Sequence, residues 1–351
     1  MKLIHIESGL GNQMLSYCEY LALKKMNPND DCFIETIVFD IPECNEVICQ
    51  WNGYELDRIF GIDAPNIRTI FSDVQWNSII EHIRQSEFWK NEWNYPPIFT
   101  DAFNAQGCNF INVRGDLRAP HNRSWLKSGI VGDLRSWFNN STYIGVTLKR
   151  ILSQRHIDYS TQPSLTQRLF IESDKDLFAG QQLLFNHVGA GIDLIKEEID
   201  NAFSFPDFSD KTNAEFANYL NSVNAVFIHA RRGDMLSRNG WCYKYGYFRR
   251  AIRFIRSHVE NPVFVFFTDP GSIQWCKENE NIFGLDFSHD TIKFVDWNKG
   301  DNSFRDMQLM SYCKHGITTY SSFGWWGTYF IKNPDKITIS PLAYLNTTYH
   351  C

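Results

Sequence analysis

Between about residues 210 and 340 the sequence alternates short apolar runs with helix-patterned stretches, and that alternation leaves few folds open. Residues 225–230 (Ala-Val-Phe-Ile-His-Ala) are apolar, β-branched or aromatic over a length that suits a buried strand. A helical stretch follows at 244–258, where Phe248, Ile252 and Ile255 recur at helical spacing and Arg249, Arg250, Arg253 and Arg256 lie off that face. Pro262 stops it, and 263–267 reads as a second strand. Pro270 marks the start of a helix carrying Ile273, Cys276 and Lys277 to about 280, before a third strand at 291–295. A helix at 303–315, a strand at 317–320, a helix at 323–331 and a strand at 337–340 complete the series. Strands alternating with crossover helices make a parallel sheet, because parallel neighbours cannot be joined by a tight turn. The expectation is an α/β, Rossmann-like domain.

The amino end opens the same way. A strand at 2–6 leads through Gly9-Leu10-Gly11 into a helix carrying Met14, Tyr17, Cys18, Leu21 and Leu23 to about 26, and 32–39 resembles the next strand. Residues 50–200 offer only short helical pieces, such as 56–60 and 191–203, among loops rich in Trp, Asn and Pro. Turn residues at 205–212 read as a linker, and the 351-residue length exceeds what one core usually serves. Two domains are expected, 1–208 and 209–351.

Composition removes several classes. With 21% charged and 15% aromatic residues the chain is not a disordered one. A net charge of −6 gives no global attraction to nucleic acid or anionic lipid, so any phosphate chemistry has to come from a local basic site. No apolar run approaches the 18 residues of a membrane span, and the first six residues read as a strand rather than a signal peptide. A cytoplasmic protein is expected, with at most peripheral membrane association. Nine cysteines contain no C-x-x-C pair, and Cys44 and Cys49 have no His nearby, so thiols serving as small hydrophobes are expected rather than zinc ligands.

Ligands of parallel sheets gather beyond the carboxyl ends of the strands. That rule selects Glu7 to Gln13, His229 to Asp234, Thr268-Asp269-Pro270 and Ser321 to Gly327. Together they suit a nucleoside diphosphate. Arg231 and Arg232 can set a guanidinium fork on phosphate oxygens. Ser321 and Ser322 bring hydroxyls and a helix N-terminus to the same anion. Asp269 can accept from a base or a ribose hydroxyl. Gly9 and Gly11 admit backbone close to a ligand, and Asn12 and Gln13 enter the helix with donors and acceptors free. Each segment also has a plain structural reading: a solvated Arg-Arg-Gly-Asp turn, an N-cap at Ser-Ser, a capping Asp269. Their convergence on three successive strand ends of one sheet favours the ligand. Met14 stands where a dinucleotide G-x-G-x-x-G would need its third glycine, which disfavours an NAD-dependent oxidoreductase.

These segments, in this order, resemble the family 11 glycosyltransferases, the α-1,2-fucosyltransferase family. The resemblance rests on Ser8 to Met14, on His229 to Asp234, on Thr268-Asp269-Pro270 with Trp275-Cys276-Lys277, on Leu309 to His315 and on Ser321 to Gly327. It covers residues 1–26 and roughly 190–341, with a short echo at Glu55 to Phe60. Ser8 departs from a glycine of the family pattern, Pro270 from an acid and Gly324 from a serine. The resemblance implies a GT-B arrangement, two Rossmann-like domains facing across a cleft, and inverting transfer from GDP-fucose with no metal and no other cofactor. It implies that Arg231 grips the pyrophosphate, that His229 and Asp269 contact the nucleoside, and that Ser321 and Ser322, with Phe323 beside them, meet the phosphates. Asn12 would reach the fucose–phosphate end or the acceptor, with Gly9, Gly11 and Gln13 in its turn, while Arg232 and Asp234 brace the loop. The general base stays open between Asp234, Glu7 and no side chain at all. The acceptor would be an oligosaccharide or lipid-linked glycan containing galactose, packed on some of Trp51, Trp76, Trp89, Trp93, Trp125 and Trp137. Two rivals stand beside this reading: a GDP-sugar-binding protein without transferase activity, and a metal-dependent GT-A enzyme using Asp174 and Asp176 as a D-x-D pair.

Overall fold

The computed structural model describes residues 1–49, 51–91, 93–112, 176–179, 195–341 and 349–350, with isolated positions between 130 and 148. The chain divides into two units, Met1–His121 with Tyr159–Pro206, and Asn122–Asp158 with Asp207–Cys351. The expected domains assigned everything before residue 209 to the first; here 122–158 groups with the second, and Tyr143 packs edge-on against Tyr245.

In the first unit, strands β1 (Lys2–His5), β2 (Cys32–Glu35), β3 (Ile111–Asn112) and β4 (Leu177–Ala179) form a parallel sheet in the order β2-β1-β4-β3. Helix α1 (Leu10–Met26) crosses from β1 to β2. It ends at Asn27, whose backbone and side-chain N–H groups both donate to the Leu23 carbonyl, with Lys24 and Lys25 placed to favour the negative end of the helix dipole. The strand expected over 32–39 stops at Glu35. The Glu35 carboxylate accepts the Ile37 amide at 2.9 Å and turns the chain into a 3₁₀ segment, Ile37–Asp40. Helices α2 (Leu56–Phe60), α3 (Asp73–Gln85) and α4 (Tyr95–Asn104) follow, α3 opened by a reciprocal Ser72/Gln75 capping box. An aromatic core of Phe88, Tyr95, Phe99, Phe103 and Phe178 packs on Leu3 and Ile37. A further helix, α5 (Lys196–Ala202), precedes the division.

The second unit opens with α6 (Lys211–Ser222), capped by Asp210 accepting the Asn213 amide at 2.7 Å. Then come β5 (Asn224–Ala230), α7 (Leu236–Lys244), α8 (Tyr247–Arg256), β6 (Pro262–Thr268), α9 (Ile273–Glu278), α10 (Glu280–Phe283), β7 (Ile292–Phe294), α11 (Phe304–Ser311), β8 (His315–Thr318), α12 (Ser322–Phe330), β9 (Thr338–Ser340) and β10 (Tyr349–His350). The helix expected over 244–258 is α8, which begins at Tyr247 after Gly246 takes a left-handed conformation (φ 72°), and α7 before it is a helix the sequence pattern did not announce. The helix expected to reach 315 ends at Ser311; Lys314 N–H already donates to the Ala225 carbonyl, which fixes β8 against β5.

All pairings in this sheet are parallel, in the order β10-β9-β8-β5-β6-β7. The chain starts at the centre, builds outward through β6 and β7, then returns to the other side of β5 with β8. The carboxyl ends of β5 and β8 therefore form a topological switch point, where the flanking connections diverge and leave room for a ligand. Beneath it Phe227, Val265, Phe267, Leu309 and Met310 form the core. Both expected sheets are thus present, each parallel and each of the α/β class.

Candidate functional site

The switch point is closed by backbone and by one buried amide. Thr319 N–H donates to the His229 carbonyl at 3.2 Å, and Arg231 N–H donates to the Thr319 hydroxyl at 3.0 Å. Asn239, on α7, donates to the carbonyls of Arg231 and Tyr320, both at 3.1 Å, and accepts the Tyr320 amide at 3.0 Å. The Tyr243 hydroxyl adds a bond to the Arg231 carbonyl at 2.9 Å. The loops after β5 and β8 are therefore one hydrogen-bonded body, so Arg231 and the residues just before Ser321 belong to the same end of the sheet. The sequence reading missed Asn239 and Tyr243, since nothing in a helical pattern marks an amide or phenol that serves two distant loops.

The two adjacent arginines have different fates. Arg231 sets Nη1 2.5 Å from Asp269 Oδ1 and Nη2 2.8 Å from Asp234 Oδ1. Arg232 sets its guanidinium over Trp275, 3.2 Å from the ring centroid, with Tyr243 at 5.1 Å, so it anchors the loop to α7 and α9. Asp269 is buried, and its second oxygen accepts the Arg232 amide at 2.5 Å. Burial raises the pKa of that carboxyl, against the pull of the Arg231 charge.

His229 is buried beside Phe323, and its Nδ1 has no hydrogen-bond partner among the described residues. Desolvation and then the Arg231 charge push its pKa down to about 3, so the ring is neutral. A Cβ at Gly324 would overlap both Thr318 Oγ1 and His229 Nδ1, so glycine at this departure from the family pattern lets α12 seat against β5 and β8. Ser321 caps α12, its hydroxyl accepting the Gly324 amide at 3.4 Å, and Ser322 is the first helical residue. The N-terminus of α12 thus points its dipole and first-turn amides to the end of the sheet that carries Arg231.

The amino-terminal candidates lie at the end of β1. Ser8 adopts φ 68°, a left-handed conformation that glycine takes without strain, which gives a physical reason for glycine there in the pattern this chain resembles. Gly9 is the N-cap of α1; a Cβ on it would lie 2.9 Å from the Trp51 ring. Gly11 is buried and Asn12 half-buried in the first turn of α1. The expectation that Gln13 carries free donors and acceptors is corrected. Its amide donates to the Ser8 and Gly53 carbonyls and accepts the Glu55 amide, each at 2.8 Å, in full burial. Gln13 ties the turn to the 53–55 loop and has no group left for a ligand.

Glu7 is buried as well. Its Oε2 accepts the Trp93 indole N–H at 2.5 Å and lies 3.2 Å from His5 Nε2, while His5 Nδ1 contacts Glu35. Burial alone would depress the pKa of His5, but Glu35 and then Glu7 override it and carry it up to about 9. His5 and Glu35 carry no signal in the sequence; they are register partners of β1 and β2, and the pairing is visible only with the register. Of the tryptophans, Trp89 is buried, Trp76 and Trp93 pack on the first core, Trp51 and Trp137 are exposed, and Trp125 lies outside the described residues. Asp174 also lies outside them, and Asp176, just before β4, pairs with the Met1 ammonium at 2.5 Å. Among the described residues no group of three His, Cys, Asp or Glu side chains is placed to hold a metal, and no helix is long and apolar enough to cross a membrane.

Comparison with known proteins adds the decisive observation. The profile of glycosyl transferase family 11 matches residues 185–350, which span α5 and the whole sheet that carries Arg231. This stretch belongs to glycosyl transferase family 11. Among curated relatives, an α-1,2-colitosyltransferase of Escherichia coli is 37% identical over 138 residues, 37% of this chain and 44% of that protein. A human galactoside α-(1,2)-fucosyltransferase is 33% identical over 109 residues, 30% of this chain and 28% of that one. The chain therefore matches less than half the length of these relatives. Among solved structures, the α-1,6-fucosyltransferase NodZ co-crystallised with GDP superposes with a TM-score of 0.42 at 11% identity, over 96% of this chain and 94% of that one.

Proposed function

We propose that this chain is a glycosyltransferase that moves L-fucose from GDP-β-L-fucose to a galactose-containing glycan, forming an α-1,2 linkage with inversion at the sugar carbon and with no metal. The observation that carries the reading is the Arg231 fork at the β5/β8 switch point, backed by the buried Asp269 and facing the same strand ends as the N-terminus of α12. The relatives named for fucosyl and colitosyl transfer support the choice of sugar donor.

The chemistry follows from charge. As the acceptor hydroxyl attacks the anomeric carbon and gives up its proton to water, the bond to the diphosphate oxygen breaks and negative charge builds on GDP. Arg231 meets that charge with a guanidinium already oriented by Asp269, so little reorganisation remains for the transition state. The helix end supplies further positive potential through its first amides. These fixed charges do what a divalent cation does in other transferases, which is the basis for proposing independence from metal. His229, neutral and buried beside Phe323, adds no charge of its own to the fork, and a contact with the nucleoside is the role proposed for it.

A colitosyl donor is the second reading, favoured by the 37% identity to the α-1,2-colitosyltransferase. One experiment separates the possibilities. The full chain is incubated with GDP-fucose or a colitosyl donor and a panel of galactosides, with and without EDTA, and product linkage is read by NMR. Fucose at O2 of galactose in both EDTA arms is expected. Loss of activity in EDTA points to the D-x-D rival, and GDP-fucose binding without transfer to any galactoside points to a sugar-nucleotide-binding protein.

A further inference from the structure

We propose that Asp234 is an exchangeable latch on Arg231, occupying the arm of the guanidinium that the donor diphosphate uses and so weakening GDP binding and speeding its release. The inference rests on the diphosphate reading above and concerns the same arginine.

Two carboxylates hold one guanidinium, and they are not equivalent. Asp269 has a side chain only 2% exposed, receives the Arg232 amide on its other oxygen, and sits at the end of β6. A buried, doubly bonded carboxylate of this kind keeps its partner, because separating them would strand a charge away from water. Asp234 has a side chain 35% exposed and lies in the short 3₁₀ turn Gly233–Met235. Water can replace its contact at little cost, as with most exposed ion pairs. The Arg231 side chain is itself 16% exposed, with Nη1 committed to Asp269. An anion that reaches the guanidinium on its Nη2 side meets Asp234, 2.8 Å away.

A phosphate oxygen taking that position makes the same kind of charge-assisted bond, with the further charge of the diphosphate behind it. Asp234 must withdraw for it, and its negative charge then stands near the incoming diphosphate. When the sugar has gone, the same carboxylate competes for Arg231 and favours departure of GDP. Asp234 is thus a positioning residue acting through Arg231, and its role differs in sign from that of Asp269. One carboxylate aims the fork for the ligand; the other contends with the ligand for it.

That sign is the test. GDP affinity is measured by calorimetry at fixed ionic strength on the full chain, with dissociation followed by stopped flow and inorganic pyrophosphate as a second probe. Asp234→Asn is expected to tighten GDP and pyrophosphate roughly tenfold and to slow GDP release by a similar factor, with Asp234→Glu returning toward the parent protein. Asp269→Asn is expected to weaken GDP at least tenfold. If Asp234 merely braced Arg231, its loss would weaken GDP; weakening, or no change, in a folded Asp234→Asn or Asp234→Ser variant overturns the latch. A parent protein that binds neither GDP nor pyrophosphate defeats the diphosphate reading itself, which is a separate outcome from a wrong sign in the variants.

Discussion

The first strand of each sheet ends in the same arrangement, a buried histidine followed two places on by an ionisable residue, yet the two ends carry opposite charge. At the end of β1 the order is His5-Ile6-Glu7; at the end of β5 it is His229-Ala230-Arg231. His5 lies between Glu7 and Glu35 and is carried up to about 9, whereas His229 lies beside Arg231 and is driven down to about 3. Both rings are buried, so desolvation acts the same way on each. What separates them is the neighbouring charge, together with the hydrogen bonds that His5 makes to Glu35 and Glu7. One strand end is a closed cluster in which carboxylates are satisfied by an imidazolium and an indole. The other presents a guanidinium that water and anions can reach. The shared backbone plan says where a ligand could bind; the charge of one residue says what kind of ligand it is.

The largest expected effect removes the cation that defines the second end. Arg231→Ala should lower transfer roughly 10²–10³-fold, as loss of a donor to a developing anion does elsewhere. Arg231→Lys should recover little of it, because a point charge cannot hold Asp269 and phosphate together. Steady-state kinetics alongside GDP calorimetry checks both, and near-normal GDP affinity in the alanine variant would count against the role given to Arg231.

The histidine comparison is sharpened by pH. A histidine whose folded pKa is raised stabilises the fold fully below its ordinary 6.5 and loses that contribution as pH climbs toward about 9. For His5 the amount is of order 3 kcal/mol. His229 runs the other way: its neutral form is favoured in the fold, so its contribution is present above 6.5 and is lost as pH falls toward about 3. Urea unfolding across pH should therefore show an alkaline limb that flattens in His5→Gln and an acidic limb that is shallower in His229→Gln. An unchanged alkaline limb in His5→Gln would show that the cluster at β1 is not charged.

Smaller effects probe the packing behind the anion end. Gly324→Ala pushes a methyl group against both Thr318 and His229 and should cost about 1–3 kcal/mol, read as a fall in Tm. Ser321→Ala removes the cap of α12 and should cost about 1 kcal/mol with a modest loss of GDP affinity. If Ser321→Ala instead abolishes binding with Tm unchanged, its hydroxyl is a ligand contact and not a cap.

Much of this fold is legible in the order of residues alone. The alternation over 225–340 announces a parallel sheet because buried strands are continuous apolar runs and crossover helices carry a helical stripe, both of which are local patterns. The positions of Arg231, Asp269 and Ser321 at strand ends follow directly. Three features are not legible in that way. β4 is three residues long, too short for any periodicity, and exists because Leu177, Phe178 and Ala179 pair with β1. Helix α7 is not announced by its residues, because Asn239 and Gly240 interrupt any apolar stripe before Gly246 leads into α8. Gln13 looks available at a helix start, and only the fold brings Gly53 and Glu55 to it.

The amino-acid sequence by itself determined the parallel α/β class and which ionisable groups stand at which strand ends, since both depend on neighbours a few positions apart. The tertiary structure alone decided that β8 returns beside β5, that Asp269 rather than solvent holds one arm of Arg231, and that Glu35 faces His5. Those partners lie 30 to about 90 residues away along the chain, and strand register and crossover handedness, which no local pattern encodes, bring them within bonding distance.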